Sequence, residues 1–154
     1  IMKTILVVNM KGTVNQSSQI KRTLELLKLE TKFRATIIPD NKTNRGMLQK
    51  VKNHVAWHDA DEKVIHELLE KRGKESNNKK INENTLKNNG YKTMKDLANE
   101  VFLGKKTLSS LKVKSTFTLS PPKGGFLRST RRMYAQGGIL GKNPQINDIV
   151  LKMI

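Results

Sequence analysis

The chain has 154 residues, with 30 lysines and arginines against 13 acidic residues and no cysteine, so its formal net charge is +17. Without cysteine there is no disulfide framework and no thiolate metal site, which suits an intracellular protein, and no apolar run approaches the roughly 18 residues of a membrane span. The mutual repulsion of so many positive charges is relieved only by a polyanionic partner. Nucleic acid is the best candidate for this partner, ahead of an anionic membrane surface or an acidic protein.

Strand and helix patterns alternate through the first sixty residues. Apolar and alternating runs predict three strands, at 3–10, 32–39 and 55–57. The first run predicts a buried strand and not a signal peptide, because a small-residue cleavage site is missing. Two helices lie between the strands, the first capped by Ser17 or Ser18 and the second by Asn44. Two helices of this length cover one face of a small sheet, which predicts an α+β fold.

The rest of the chain contains further helices and one short strand. Helices are predicted at 59–73, around 85–87, at 93–104, and in a last segment that opens at Pro144. Alternation of Phe117 and Leu119 predicts a strand over 115–120. The length of the chain predicts one domain with an extension, or two very small domains, and no internal repeat or heptad pattern is present.

The segment SPPKGGFLRSTRRMYAQGGILGKN (120–143), called the Gly/Arg segment below, has five glycines, five cations and no acid, and no Asp or Glu occurs from 101 to 147. Its glycine pairs cost about 1 kcal/mol per residue in a helix and weaken a strand, so neither element is predicted. A long loop of this kind is usually disordered or ordered by a partner. Binding to folded RNA is the favoured interpretation, and a mobile, solvated loop is the alternative.

Each residue type in the Gly/Arg segment has its own expected contact with RNA. Phosphate contacts are expected from Lys123, Arg128, Arg131, Arg132 and Lys142, because cations, and arginine forks above all, pair with phosphate oxygens. Glycines allow a close backbone approach, here at Gly124, Gly125, Gly137 and Gly138. Tyr134 is expected to stack on a base or sugar.

A second basic site is predicted in NKTNRGMLQKVK (41–52), around the start of the second helix. Its polar residues are Lys42, Asn44, Arg45, Lys50 and Lys52. Unpaired backbone N–H groups and the helix dipole favour a phosphate there, and a solvated helix face is the alternative. Lys11, in the loop KGTVN (11–15) after the first strand, is a weaker third candidate.

Enzymatic chemistry has little support in the sequence. The stretch AQGGILGKN resembles a phosphate-binding loop, but Gln136 and Asn143 stand where that motif needs Gly and Ser or Thr. His54 and His58 would share a face on a helix and offer two metal ligands, although two surface histidines are the more ordinary interpretation. Nothing in the sequence pairs a nucleophile with a base. We therefore expect no catalytic residue, no metal and no cofactor.

Four motifs together resemble one known family. In chain order they are KGTVN (11–15), NRGMLQKVKNHVAW (44–57), FTLSPPKGGF (117–126) and GGILGKNPQIN (137–147). They are similar to motifs of the large-subunit ribosomal protein family numbered thirty, in its long archaeal-type form. Two positions depart from the family pattern: Lys11 replaces an arginine, and His58 stands where the family usually has glycine.

The resemblance implies a ferredoxin-like α+β core, a three-stranded antiparallel sheet with two helices on one face, over residues 1–58. Residues 59–154 would form a C-terminal extension of helices and extended loop that carries the RNA-wrapping Gly/Arg segment. The implied function is structural, in the large ribosomal subunit of the cytoplasm, with ribosomal RNA and neighbouring ribosomal proteins as partners and without a membrane or a small-molecule substrate. The alternative is a free nucleic-acid-binding regulator that uses helices at 83–103.

Overall fold

The computed structural model describes residues 4–11, 16–75, 79–104, 113–114, 116–126 and 128–154. Its strands are β1 (Thr4–Asn9), β2 (Arg34–Pro39), β3 (Val55–Asp59), β4 (Thr116–Thr118), β5 (Ser129–Met133) and β6 (Gly138–Lys142). Its helices are α1 (Ser18–Leu26), α2 (Lys42–Lys50), α3 (Glu62–Arg72), α4 (Glu83–Asn88), α5 (Met94–Phe102) and α6 (Ile146–Met153). All elements predicted outside the Gly/Arg segment are confirmed, with shifts of a few residues at their ends.

The described strands form one sheet of six, in the order β4-β2-β1-β3-β6-β5. Its centre is the expected antiparallel trio, with β1 between β2 and β3. The prediction of a three-stranded sheet is nevertheless wrong, because the C-terminal half of the chain adds strands on both sides. β4 pairs antiparallel with β2, and β6 pairs parallel with β3 through Ala56–Gly141 and Trp57–Lys142.

Helices cover both faces of this sheet. On one face α1 and α2 pack on Ile5 and Val7 of β1 and on Trp57 of β3, as expected. On the other face, Leu6 and Val8 of β1 belong to a larger cluster that includes residues of α3, α5 and α6. Alternate residues of β1 thus enter different clusters, which is why its whole sequence is apolar. No helix among the described residues is long and apolar enough to cross a membrane.

Side-chain caps set several helix starts. Ser17 accepts a hydrogen bond from the backbone N–H of Ile20, as predicted, and Thr93, the first residue of the helix predicted at 93–104, caps α5 by accepting from the N–H of Asp96. The predicted cap of α2 is wrong: Asn41 is the cap, and it accepts from the N–H of Asn44 at 2.8 Å. Helix α6 begins at Ile146 and not at Pro144, because Asn143 holds a turn by accepting from the N–H of Gln145.

The Gly/Arg segment contains strands, contrary to the prediction. A 3-10 turn, Tyr134–Gln136, separates β5 from β6, and parallel bridges join these strands only at Ser129–Gly138 and Met133–Leu140, with a register shift between them. Regular parallel strands need a crossover of about a dozen residues, so this connection is an irregular arch. We call residues 128–138 the arch. The prediction failed because the buried Ile139 and Leu140 anchor β6 in the core despite its glycines.

Candidate nucleic-acid interface

Arg45, a predicted phosphate contact at α2, is paired within the protein. Its Nε and Nη2 donate to the two carboxylate oxygens of Asp40, the latter at 2.6 Å. The hydrogen bond and charge of Asp40 raise the pKa of Arg45 above its ordinary value. The guanidinium remains 68% exposed while the Asp40 side chain is only 11% exposed. Arg45 therefore meets a ligand only with the N–H groups that Asp40 leaves unused.

The other predicted residues of this region do not form a ring around the helix start. Lys42 begins α2, but Lys50 ends it and Lys52 follows in the turn before β3; all three are exposed. Asn44 donates its side-chain N–H to the carbonyl of Pro39 at 2.8 Å, so its amide braces the strand-to-helix turn. The predicted site is thus spread over the length of α2 and the turn that follows it.

The pairing of β3 with β6 joins the two predicted basic regions. Arg45 and Lys142 line one cavity of about 230 Å³, and its other lining residues include the carboxylates Asp40 and Asp59 and the side chains of Gln49, Trp57 and His58. Trp57 is 9% exposed, so it is a core residue whose edge reaches this cavity. One cation of α2 and one at the end of the Gly/Arg segment therefore meet at this cavity.

Residues 121–125, at the start of the Gly/Arg segment, form a loop that we call the Pro-Gly loop and that runs beside α6. The N–H of Lys123 donates to the carbonyl of Lys152, and the N–H of Gly125 donates to the carbonyl of Pro122. Gly124 and Gly125 adopt φ values of 79° and 75°, a region that suits glycine, and both are open to solvent. Lys123 is exposed, and a partner can approach the loop backbone as the glycines predict.

In the arch, one arginine is held internally and two are exposed. The Arg128 guanidinium lies 4.2 Å from the ring centroid of Tyr134, and its Nη2 donates to the Tyr134 carbonyl at 2.7 Å. Arg131 and Arg132 are exposed, and none of the ion pairs found in the described part of the chain involves them. Arg128 thus differs from Arg131 and Arg132, because its guanidinium is held by a contact within the protein.

The two glycines at the end of the arch have different surroundings. Gly137 is open and has a φ of 87°, and its N–H donates to the Tyr134 carbonyl. Gly138 is buried, and a Cβ built there would overlap the carbonyl of Arg132. Gly138 therefore allows two parts of the protein to approach each other. The prediction was that RNA approaches the backbone here, but this glycine is not exposed.

Lys11 is exposed beside a buried histidine. The remainder of the KGTVN loop, 12–15, lies outside the described residues. Burial, and secondarily the charge of Lys11, lower the pKa of His54 below its ordinary value. The Nδ1 atom of His54 is buried and has no hydrogen-bond partner in the described structure. Residues 55–59 form a strand, so the helical geometry that would pair His54 with His58 as metal ligands is wrong.

Sequence reasoning missed some residues that the fold brings to this surface. Lys152 lines a second cavity, of about 190 Å³, with Gly125, Phe126 and Arg128. Asp40 precedes Arg45 by five residues, a spacing that helical periodicity does not pair, so only the strand-to-helix turn brings them together. One cluster of metal-ligand type, His66, Glu67 and Glu70, lies on α3 among the described residues, and exposed helical carboxylates of this kind are common without a metal.

Known proteins resemble this chain over nearly its full length. The family model of ribosomal protein L30p/L7e matches residues 5–55. Large ribosomal subunit protein uL30 of Cenarchaeum symbiosum (strain A) is 43% identical over 150 residues, 97% of each chain. That of Nitrosopumilus maritimus (strain SCM1) is 44% identical over 151 residues, again 97% of each. That of Nanoarchaeum equitans (strain Kin4-M) is 36% identical over 146 residues, 94% of each.

Proposed function

This chain belongs to the ribosomal protein L30p/L7e family in its archaeal type, and from this membership we propose that it is a structural constituent of the large ribosomal subunit that binds large-subunit ribosomal RNA. Its relatives are named as proteins of that subunit. Neighbouring large-subunit proteins are its other partners, and it works in the subunit in the cytoplasm. The function requires no catalytic step and no cofactor.

The distribution of charge is the observation that carries this proposal. Eight of the 13 acidic residues lie between Asp61 and Glu100, whereas none lies between 101 and 147. The exposed cations of the Pro-Gly loop, the arch and β6 come from this acid-free stretch, and α2 contains no carboxylate either, so the carboxylates beside them are Asp40, Asp59 and Asp148. The exposed cations are Lys42, Lys50, Lys52, Lys123, Arg131, Arg132 and Lys142. A surface of this kind attracts a phosphate backbone and is repelled by cations.

Phosphate neutralisation supplies most of the affinity in this proposal. Each neutralised phosphate releases counterions, so the association constant falls as salt rises. Specificity comes from the shape of the folded RNA, because the deep major groove of A-form RNA excludes side chains. The open Gly124 and Gly125 allow the backbone to follow that shape closely.

The free-regulator alternative depends on α4 and α5. Helix α5 carries Asp96, which is exposed, and Glu100, which is half-buried. Carboxylates at these positions repel phosphates, and a recognition helix is expected to be basic. Leu97, Ala98 and Val101 of α5 are buried in the core. Helix α5 therefore packs in the core, and its carboxylates do not favour the alternative function.

Sedimentation tests the proposed function. In a gentle cell lysate on a sucrose gradient, the wild-type chain is expected to travel with the large subunit and to stay with it when low magnesium separates the subunits. Substitution of Arg131 and Arg132 by alanine is expected to reduce this incorporation, because two exposed phosphate contacts are lost, while the circular dichroism stays that of the wild type.

The matched control replaces Lys63 and Lys95 by alanine. Both are exposed, on α3 and α5, where acidic residues are frequent, so the same change in charge is expected to leave incorporation intact. A wild-type chain that stays in light fractions, while other ribosomal proteins sediment normally, contradicts the function. Loss of circular dichroism in the Arg131/Arg132 variant would make these residues fold determinants instead.

A further inference from the structure

Arg128 and Tyr134 flank β5 within the arch and contact each other. The Arg128 guanidinium lies over the Tyr134 ring at 4.2 Å and donates to the carbonyl of the same residue at 2.7 Å. One side chain thus makes a cation–π contact and a charge-assisted hydrogen bond with a single partner. Both residues are half-buried. The pair spans β5, so it fixes the separation of the two ends of the strand that carries Arg131 and Arg132.

Other contacts inside the arch support the same shape. The Tyr134 carbonyl also accepts from the N–H of Gly137 at 3.2 Å, and Ser129 accepts from the N–H of Arg131 at 3.2 Å. Gly138 packs so closely on the Arg132 carbonyl that a Cβ would not fit. Since these contacts are all internal to the arch, its conformation does not require a partner.

We propose that Arg128 is a positioning residue: with Tyr134 it locks the arch, before RNA arrives, in the shape in which Arg131 and Arg132 meet phosphates. This inference rests on the proposed function. It gives Arg128 and Tyr134 roles different from the phosphate contact and the base stacking that the sequence predicts. The lock increases affinity because an arch that is already ordered loses less conformational freedom on binding.

The dependence of affinity on salt separates a positioning residue from a phosphate ligand. A phosphate contact contributes about 0.7 to 0.9 to the slope of log K against log salt. A positioning residue changes affinity at every salt concentration and leaves this slope unchanged. The variants are Tyr134→Leu, which removes the ring and no charge, Arg128→Gln, their double variant, and Arg132→Gln as the exposed matched control. Tyr134→Phe retains both the ring and the accepting carbonyl.

Binding of each variant to deproteinised archaeal large-subunit ribosomal RNA is measured between about 50 and 200 mM salt, the range in which counterion release is pronounced. Tyr134→Leu and Arg128→Gln are each expected to weaken binding roughly tenfold with an unchanged slope. The double variant is expected to be no weaker than Arg128→Gln, because that change already removes both the ring contact and the hydrogen bond to the Tyr134 carbonyl, whereas Tyr134→Leu removes only the ring contact. Tyr134→Phe is expected to bind like the wild type, and Arg132→Gln to lower the slope.

The proposal is overturned if Arg128→Gln lowers the slope as Arg132→Gln does while Tyr134→Leu binds like the wild type. Amide hydrogen exchange on the free wild-type protein gives a second test that needs no variant and no RNA. Protected amides in 129–138 are expected; exchange there at the rate of an unstructured peptide overturns the preformed arch even if RNA binds. A wild type that shows no salt-dependent binding, with these amides protected, contradicts the proposed function instead.

Discussion

At the scale of single residues, a cation on the surface is not equivalent to a cation that is ready to bind. Arg45 is exposed, yet two of its nitrogens are used by Asp40. A pair this exposed contributes little to stability because water screens its charges, so its main effect is to fix the direction of the guanidinium. Arg131, exposed and without an acidic partner in the described ion pairs, keeps its whole fork for a ligand.

His54 makes stability depend on pH. Its pKa in the folded protein lies below 6.5, chiefly because of burial and then because of Lys11. Between that lowered pKa and 6.5 the unfolded chain binds more protons than the folded one, so the free energy of unfolding falls as pH decreases through this window. We expect denaturant unfolding to show less stability at pH 5 than at pH 7, and His54→Gln to remove part of this loss.

The control for this prediction is His58→Gln, the same substitution at a half-buried position of β3. It is expected to retain the pH-dependent loss of the wild type. If His54→Gln and the wild type lose equal stability between pH 7 and pH 5, the buried imidazole is not the cause.

At the scale of elements, the fit of β6 depends on a glycine. Gly138→Ala places a Cβ against the carbonyl of Arg132, and relief of that overlap is expected to cost about 1–3 kcal/mol of stability. The matched control is Gly46→Ala, at an exposed position of α2 with no atom within 4 Å of the added Cβ. That change is expected to stabilise the protein by about 1 kcal/mol, since alanine is the better helix former.

Thermal and urea unfolding of the two alanine variants measure this contrast. Opposite signs are the expected result. If Gly138→Ala is as stable as the wild type, Gly138 does not lie in close contact with the carbonyl of Arg132 in solution. A loss of stability in Gly46→Ala would instead indicate that α2 has a neighbour on that side in solution.

Local patterns predicted those elements whose causes are local. Ser17 and Thr93 cap helices where the sequence places them, and the apolar run of β1 marks a buried strand. The two strands of the Gly/Arg segment could not be predicted, because their glycines are tolerated through contacts made far along the chain. Gly141 pairs with Ala56 of β3, and no sequence window contains both residues. For the same reason the arginines of the site were all expected to be alike, and only the fold distinguishes Arg128 from Arg132.

At the scale of the whole molecule, the division at residue 58 separates two regions that share one core. Leu6, Val8 and Ala56 belong to the first region and lie in the cluster that α3, α5 and α6 cover. A fragment of residues 1–60 would expose this face of the sheet. Exposed contiguous apolar patches favour association between molecules. Burial therefore argues that the first region depends on the second.

Expression of residues 1–60 alone tests this dependence. We expect a fragment that aggregates, or that lacks cooperative thermal unfolding, while the full chain unfolds in one transition. The fragment with Leu6 and Val8 both replaced by threonine is the control, since it presents a more polar face and is expected to be more soluble. A soluble, cooperatively folding 1–60 fragment would show that the first region folds independently.

The pairing of β3 with β6, which is synthesised much later, also affects how the chain folds during translation. The N–H of Asp61 donates to the side chain of Asn147, 86 residues further along the chain, and β6 must arrive before β3 has its second neighbour. At a synthesis rate of about 5–20 residues per second, several seconds separate the two partners during translation. Until then the edge of β3 has no second strand and the cluster around Leu6 and Val8 lacks α6, so the nascent chain has reason to meet a chaperone before it meets RNA.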